Sequence, residues 1–95
     1  MSEYVILSKL TDEGRKTILE NPERIKEVNK ELENKGAKIL TQYALLGEYD
    51  FITIVDAPSK GDIYRTVSEV TSRGAIETTT LSAMDVNELI EKMKE

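Results

Sequence analysis

Residues 37–56, AKILTQYALLGEYDFITIVD, decide the fold. On either side of Gly47-Glu48-Tyr49-Asp50 stands a run rich in β-branched and aromatic residues, Ala37 to Leu46 and Phe51 to Asp56. Both runs have the length and composition of strands, and the glycine between them suits a tight reversal. Strands joined by so short a connection pair antiparallel as a hairpin.

Upstream of the hairpin, Lys35-Gly36 is a helix stop: a cation at the C-terminal end, then a residue free to take the left-handed cap. Before it, Ile18, Ile25, Val28 and Leu32 recur at helical spacing and form one apolar stripe. Glu20/Arg24 and Glu31/Lys35 fall at i,i+4 in the favourable order, each pair worth about 0.2–0.5 kcal/mol. Asn21-Pro22 interrupts the stripe, because proline fits a helix only in its first turn. The reading is therefore a break, with Asn21 capping a second segment. Thr11 caps the first, followed by Asp12 and Glu13 where the helix dipole favours acids. Tyr4 to Lys9 reads as the opening strand.

Downstream, Ala57-Pro58-Ser59 ends the hairpin, and Ser59 with Asp62 resembles a capping box. Ile63, Val67 and Val70 form the stripe of the next helix, which Gly74 ends. Ile76 to Ala83, rich in threonine, reads as the last strand. Asp85 and Glu88 then open a terminal helix bearing Val86, Leu89, Ile90 and Met93.

The order is βαββαβ plus a helix. This is the split-βαβ pattern of the α+β, ferredoxin-like class, with a four-stranded antiparallel sheet. Its first and third strands take the centre of the sheet, and here both are apolar on both faces. Helices can cover one face. The other would present a patch that a soluble monomer seldom exposes, and its economical cover is a second copy, giving a symmetric dimer.

At 95 residues the chain is read as a single domain, 1–95. It has 13 Lys+Arg, 18 Asp+Glu, a formal charge of -5, and no Cys, His or Trp. Thiolate, disulfide and imidazole chemistry are excluded, together with the usual zinc and haem ligands. No phosphate-binding glycine loop, dinucleotide fingerprint or calcium loop occurs, so no cofactor or metal is expected. The acidic balance argues against nucleic acid, and few cations accompany Tyr4 and Phe51 on the central strands. No apolar run approaches the length of a membrane span, and the N-terminus lacks a signal peptide's features. The expected compartment is the cytosol.

The residues left to carry function are few. Gly47 to Asp50 has a plain reading as a turn, with Gly47 at positive φ and Asp50 accepting from turn amides. Its sharper reading sets Tyr49 and Asp50 at the rim of a cavity, where a phenol donates and a carboxylate serves as base. Tyr43, one strand back, is a core, interface or ligand residue. Thr78 and Thr80 are ordinary strand threonines, or else the polar lining of a cavity between subunits.

Tyr43-Ala44-Leu45-Leu46-Gly47-Glu48-Tyr49-Asp50-Phe51-Ile52, followed by Val55-Asp56-Ala57-Pro58, resembles the GYD domain family of bacteria and archaea. Tyr4-Val5, Leu10-Thr11-Asp12-Glu13-Gly14, Pro22, Arg73-Gly74 and Glu77-Thr78 extend the resemblance over nearly the whole chain, with a departure from commoner members at Thr66 to Ser72. The resemblance implies a ferredoxin-like subunit that forms a dimeric α/β barrel. It names no activity. The leading expectation is a noncatalytic homodimer, or a higher assembly of dimers, that binds a small molecule or protein partner through the sheet and dimer interface. Tyr43, Gly47, Tyr49, Asp50 and Thr78 are its candidate contact residues. The alternative is a cofactor-independent monooxygenase or isomerase of the dimeric α/β-barrel class.

Overall fold

Apolar residues on both alternating sets of a strand require a place at the centre of a sheet, and that is where the chain puts them. The computed structural model describes residues 2–95. Strands β1 (Ser2–Leu10), β2 (Lys38–Ala44), β3 (Phe51–Ala57) and β4 (Ile76–Ala83) form one sheet in the order β2-β3-β1-β4. Every neighbouring pair is antiparallel. Helices α1 (Asp12–Glu20), α2 (Ile25–Asn34) and α3 (Lys60–Thr71) lie in the connections, and α4 (Val86–Met93) follows the last strand.

Register decides which residues share a face. Tyr4, Ile6 and Ser8 of β1 stand opposite Val55, Thr53 and Phe51 of β3 and opposite Ser82, Thr80 and Thr78 of β4. This face turns toward the helices. Tyr4, Ile6, Val55 and Ala57 join Leu32, Ala37 and Ile63 in the core, with Val28, Ile39 and Val67 packed against them. In β2 the register shifts between Ile39 and Thr41. The extra residue, Leu40, makes a bulge that keeps Ile39 and Gln42 both on the helix side.

The local signals are mostly realised. Thr11 accepts from the Gly14 N–H at 3.1 Å, and Ser59 from the Asp62 N–H at 3.1 Å, while the Ser59 hydroxyl donates to the Asp62 carboxylate at 2.8 Å. Asp85 accepts from the Asn87 N–H at 2.8 Å. Three details differ from expectation. Asn21 makes no side-chain cap; its backbone N–H closes α1 on the Thr17 carbonyl, and Pro22–Arg24 forms a 3-10 turn. That turn breaks the helical phase between Glu20 and Arg24, so Arg24 pairs with Glu27 at 2.8 Å instead. Glu31 turns away from Lys35 to pair with Arg73, since Lys35 is already off the helical path at φ -89° and ψ 7°.

Helix α4 buries none of its residues. Val86, Leu89, Ile90 and Met93 are all exposed, and the molecule measures 52 × 28 × 19 Å. Its radius of gyration is 14.4 Å, against about 12 Å for a compact domain of this length.

Candidate functional site: the uncovered sheet face and the hairpin tip

The second face of the sheet carries Val5 and Leu7 on β1, opposite Ile54 and Ile52 on β3. Thr41 and Tyr43 continue the rows on β2, and Leu81 and Thr79 continue them on β4. Tyr43 and Leu81 are 63% and 48% exposed. The apolar centre has a charged border, with Glu3, Asp56 and Lys38 in register at one end and Lys9 with Glu77 at the other. Among the described residues, no helix lies across it. An aliphatic centre with a charged rim is the composition of a protein interface.

The hairpin tip is built from hydrogen bonds. The Leu45 N–H donates to the Asp50 carbonyl at 2.7 Å, and the Asp50 N–H donates to the Ser8 carbonyl at 2.8 Å. Gly47 has φ 142°, a conformation open to glycine at little cost, and a Cβ there would meet nothing within 4 Å. The Asp50 carboxylate accepts from the Leu10 N–H at 2.7 Å and pairs with Arg15 at 3.1 Å. One side chain thus fastens the start of β3 to the end of β1 and to the first helix. Arg15 carried no signal of its own in the sequence beyond its place one turn after the Thr11 cap.

The candidate residues do not converge on one site. Tyr43 is on the uncovered face, Gly47 is at the exposed tip, and half-buried Tyr49 precedes Asp50 in its clasp. Thr78 lies on the other side of the sheet, where it lines a cavity of about 250 Å³ between the sheet and the helices. Thr80 is also on that side and lines an adjoining cavity. The threonines therefore face the helices, on the opposite side of the sheet from Tyr43. Among the described residues, no group of three or more His, Cys, Asp or Glu side chains is placed to hold a metal ion. No helix among them is long and apolar enough to cross a membrane.

Asp50 titrates below its ordinary value of 3.8, chiefly because the Leu10 N–H donates to the carboxylate and further because Arg15 stands beside it. A carboxyl lowered in the folded state adds stability above its unfolded pKa, and that stability is lost as pH falls through the lowered value. Asp50→Asn should therefore cost about 1 kcal/mol at neutral pH, since an amide still accepts one hydrogen bond. It should also flatten the loss of stability below about pH 4. Urea unfolding from pH 7 to pH 2 checks both; parallel curves for the two proteins would refute the role of the charge.

Fold and site together define a ferredoxin-like α+β domain with one sheet face closed by helices and the other left apolar and open. The chain belongs to the GYD domain family, whose model matches residues 4–93. The glutamine synthetase and cystathionine beta-lyase binding protein of Thermus thermophilus is 45% identical over 95 residues, covering 99% of this chain and all of that protein. Among solved structures, MtbAldR superposes with a TM-score of 0.64 at 23% identity, over 88% of this chain and 52% of that one. This chain thus spans about half the length of MtbAldR. TTHA0845, also from Thermus thermophilus, superposes with a TM-score of 0.56 at 17% identity, over 90% of this chain and 95% of that one. At these identities the structural likeness speaks for the fold alone.

Proposed function

We propose that this chain is a self-associating protein-binding module. Open faces of two copies close on each other, and the dimer, or a higher assembly of dimers, docks on a metabolic enzyme of the glutamine synthetase or cystathionine β-lyase kind. The observation that carries the first half is the open face itself. Val5, Leu7, Ile52 and Ile54 sit side by side with Tyr43 and Leu81, a continuous apolar surface of the sort that monomers seldom leave to water. Tyr43 suits an anchoring role, because a tyrosine buries a large ring while keeping a hydrogen-bonding tip. The exposed stripe of α4 supplies a second apolar surface that its own chain does not use. The enzyme partner is argued from the 45% identical relative over its full length.

Light scattering on the purified protein at tens of micromolar should give about twice the 10.7 kDa of one chain, or a multiple of that. Mixed with glutamine synthetase or cystathionine β-lyase from the same source, it should co-migrate with at least one of them on a sizing column. A stable monomer would remove the first half of the proposal, and separate elution from both enzymes the second.

A further inference from the structure

Helix α3 places Ile63, Thr66, Val67 and Val70 on the face that meets the sheet. Three are aliphatic; the fourth brings a hydroxyl into the core. Thr66 is 1% exposed, and its Oγ1 has no hydrogen-bond partner among the described residues. Other helical threonines here behave differently. Thr17 and Thr71 return their hydroxyls to the Glu13 and Val67 carbonyls at 3.1 and 2.9 Å. A buried hydroxyl left without a partner is costly, and native proteins keep few of them.

Thr66 lines the 250 Å³ cavity between sheet and helices. Its exposed surface is mainly apolar, supplied by Ile6, Ile18, Val28, Leu32 and Phe51 among others, although about half of the lining residues are polar, with the Ser8 and Thr78 side chains adjacent across β1 and β4. A second cavity adjoins it, sharing Val67 and Thr78, and holds the other unpartnered buried hydroxyl, Thr80 Oγ1. The amide wall is already satisfied. Asn29 and Gln42 exchange hydrogen bonds at 2.8 and 3.1 Å, and Gln42 donates to Thr53 at 2.7 Å. So are the lining guanidiniums, Arg24 being paired with Glu27 and Arg73 with Glu31. An anion would find no free cation here; of the two lining acids, Glu27 is paired with Arg24 and Glu13 is exposed to water, so neither draws a cation into the apolar interior.

We propose that this cavity binds an uncharged, mostly apolar small molecule of about ten heavy atoms, whose hydrogen-bonding group reaches the Thr66 hydroxyl by parting the side chains packed over it. The size follows from the volume, since about 150 Å³ of apolar cavity accepts benzene. This site lies behind the sheet, on the opposite side from the self-associating face, so it stands whether or not the chain forms a dimer.

The test uses the full chain in amide-resolved NMR titrations with three probes: indole, cyclohexanol and benzoate. The two neutral probes should shift the amides of Thr66, Val67, Val70 and Thr78 saturably, and benzoate should not. Thr66→Val keeps the shape and removes the hydroxyl. It should raise the melting temperature by a few degrees, because an orphaned polar group is gone, while weakening the binding of cyclohexanol about tenfold. Val28→Phe, which fills the cavity, should abolish binding in a protein that still gives a dispersed folded spectrum. Saturable shifts with neither neutral probe would overturn the proposal. So would equal affinity for benzoate, a Thr66→Val variant that binds as the parent does, or one that is less stable than the parent.

Discussion

A Gly14→Ala variant will be about 2 kcal/mol less stable than the parent and will melt about 8–16 °C lower. Helix propensity alone points the other way, since alanine is favoured over glycine inside a helix by about 1 kcal/mol. The contact decides. An alanine Cβ at this position would lie 2.0 Å from the Ala75 carbonyl oxygen and 2.9 Å from its carbon. Both are backbone atoms, with no flexible side chain to give way. They are held where they are, because the Thr11 N–H donates to the Ala75 carbonyl at 3.0 Å and its hydroxyl donates to the Gly74 carbonyl at 2.7 Å. Moving the helix start away from Ala75 would stretch this clasp. Gly61→Ala is the control, for a Cβ there meets only the Ser59 Oγ at 3.9 Å. That variant should gain up to about 1 kcal/mol. Thermal and urea unfolding of both read the contrast. A Gly14→Ala protein as stable as the parent would mean that α1 does not press on the strand entry.

With the open faces paired as proposed, Ile54→Lys should leave a folded monomer of 10.7 kDa. Ile54 stands between Val5 of β1 and Thr41 of β2, at the centre of the open face. In an isolated chain the lysine ammonium reaches water across that face, and the helix-side core is untouched. In a dimer the substitution enters twice, and each ammonium is taken from water into an aliphatic surface with no acid opposite. Burying an unpaired charge costs several kcal/mol, so a loss of at least a thousandfold in association is expected. Light scattering gives the mass, and circular dichroism checks that the fold survives. A variant of unchanged mass would show that the chain associates through some other surface.

Much of this fold was legible because β1, β3 and the hairpin between them combine clear strand composition with clear turn chemistry. The helix caps at Thr11, Ser59 and Asp85 were legible for the same local reason. Side of the sheet was harder. Thr78-Thr79-Thr80 shows no alternation between apolar and polar residues, so nothing in it says which face each takes. Pairing with Ser8 and Ile6 sends Thr78 and Thr80 toward the helices, away from the uncovered face that holds Tyr43. The Asp50 clasp hid for a related reason: its partners, Leu10 and Arg15, are 40 and 35 residues away, and only the register of β1 against β3 brings them near. Thr66 did carry a signal. It falls three residues after Ile63, inside the stripe, where a threonine is out of character.

The order of strands in the sheet has a consequence in time. β1 leaves the ribosome well before its neighbour β4, which begins 66 residues after Leu10, at Ile76. At about 5–20 residues per second, several seconds of synthesis pass during which one edge of a nine-residue strand is open. The clasp between Thr11 and the Gly74 and Ala75 carbonyls cannot form in that interval either. A nascent chain of this protein therefore spends its youth with an apolar edge unguarded, the condition in which strands pair with the wrong neighbour. Ribosome-bound handling of everything before Ile76 then becomes as much a part of making this protein as the stability of the finished sheet.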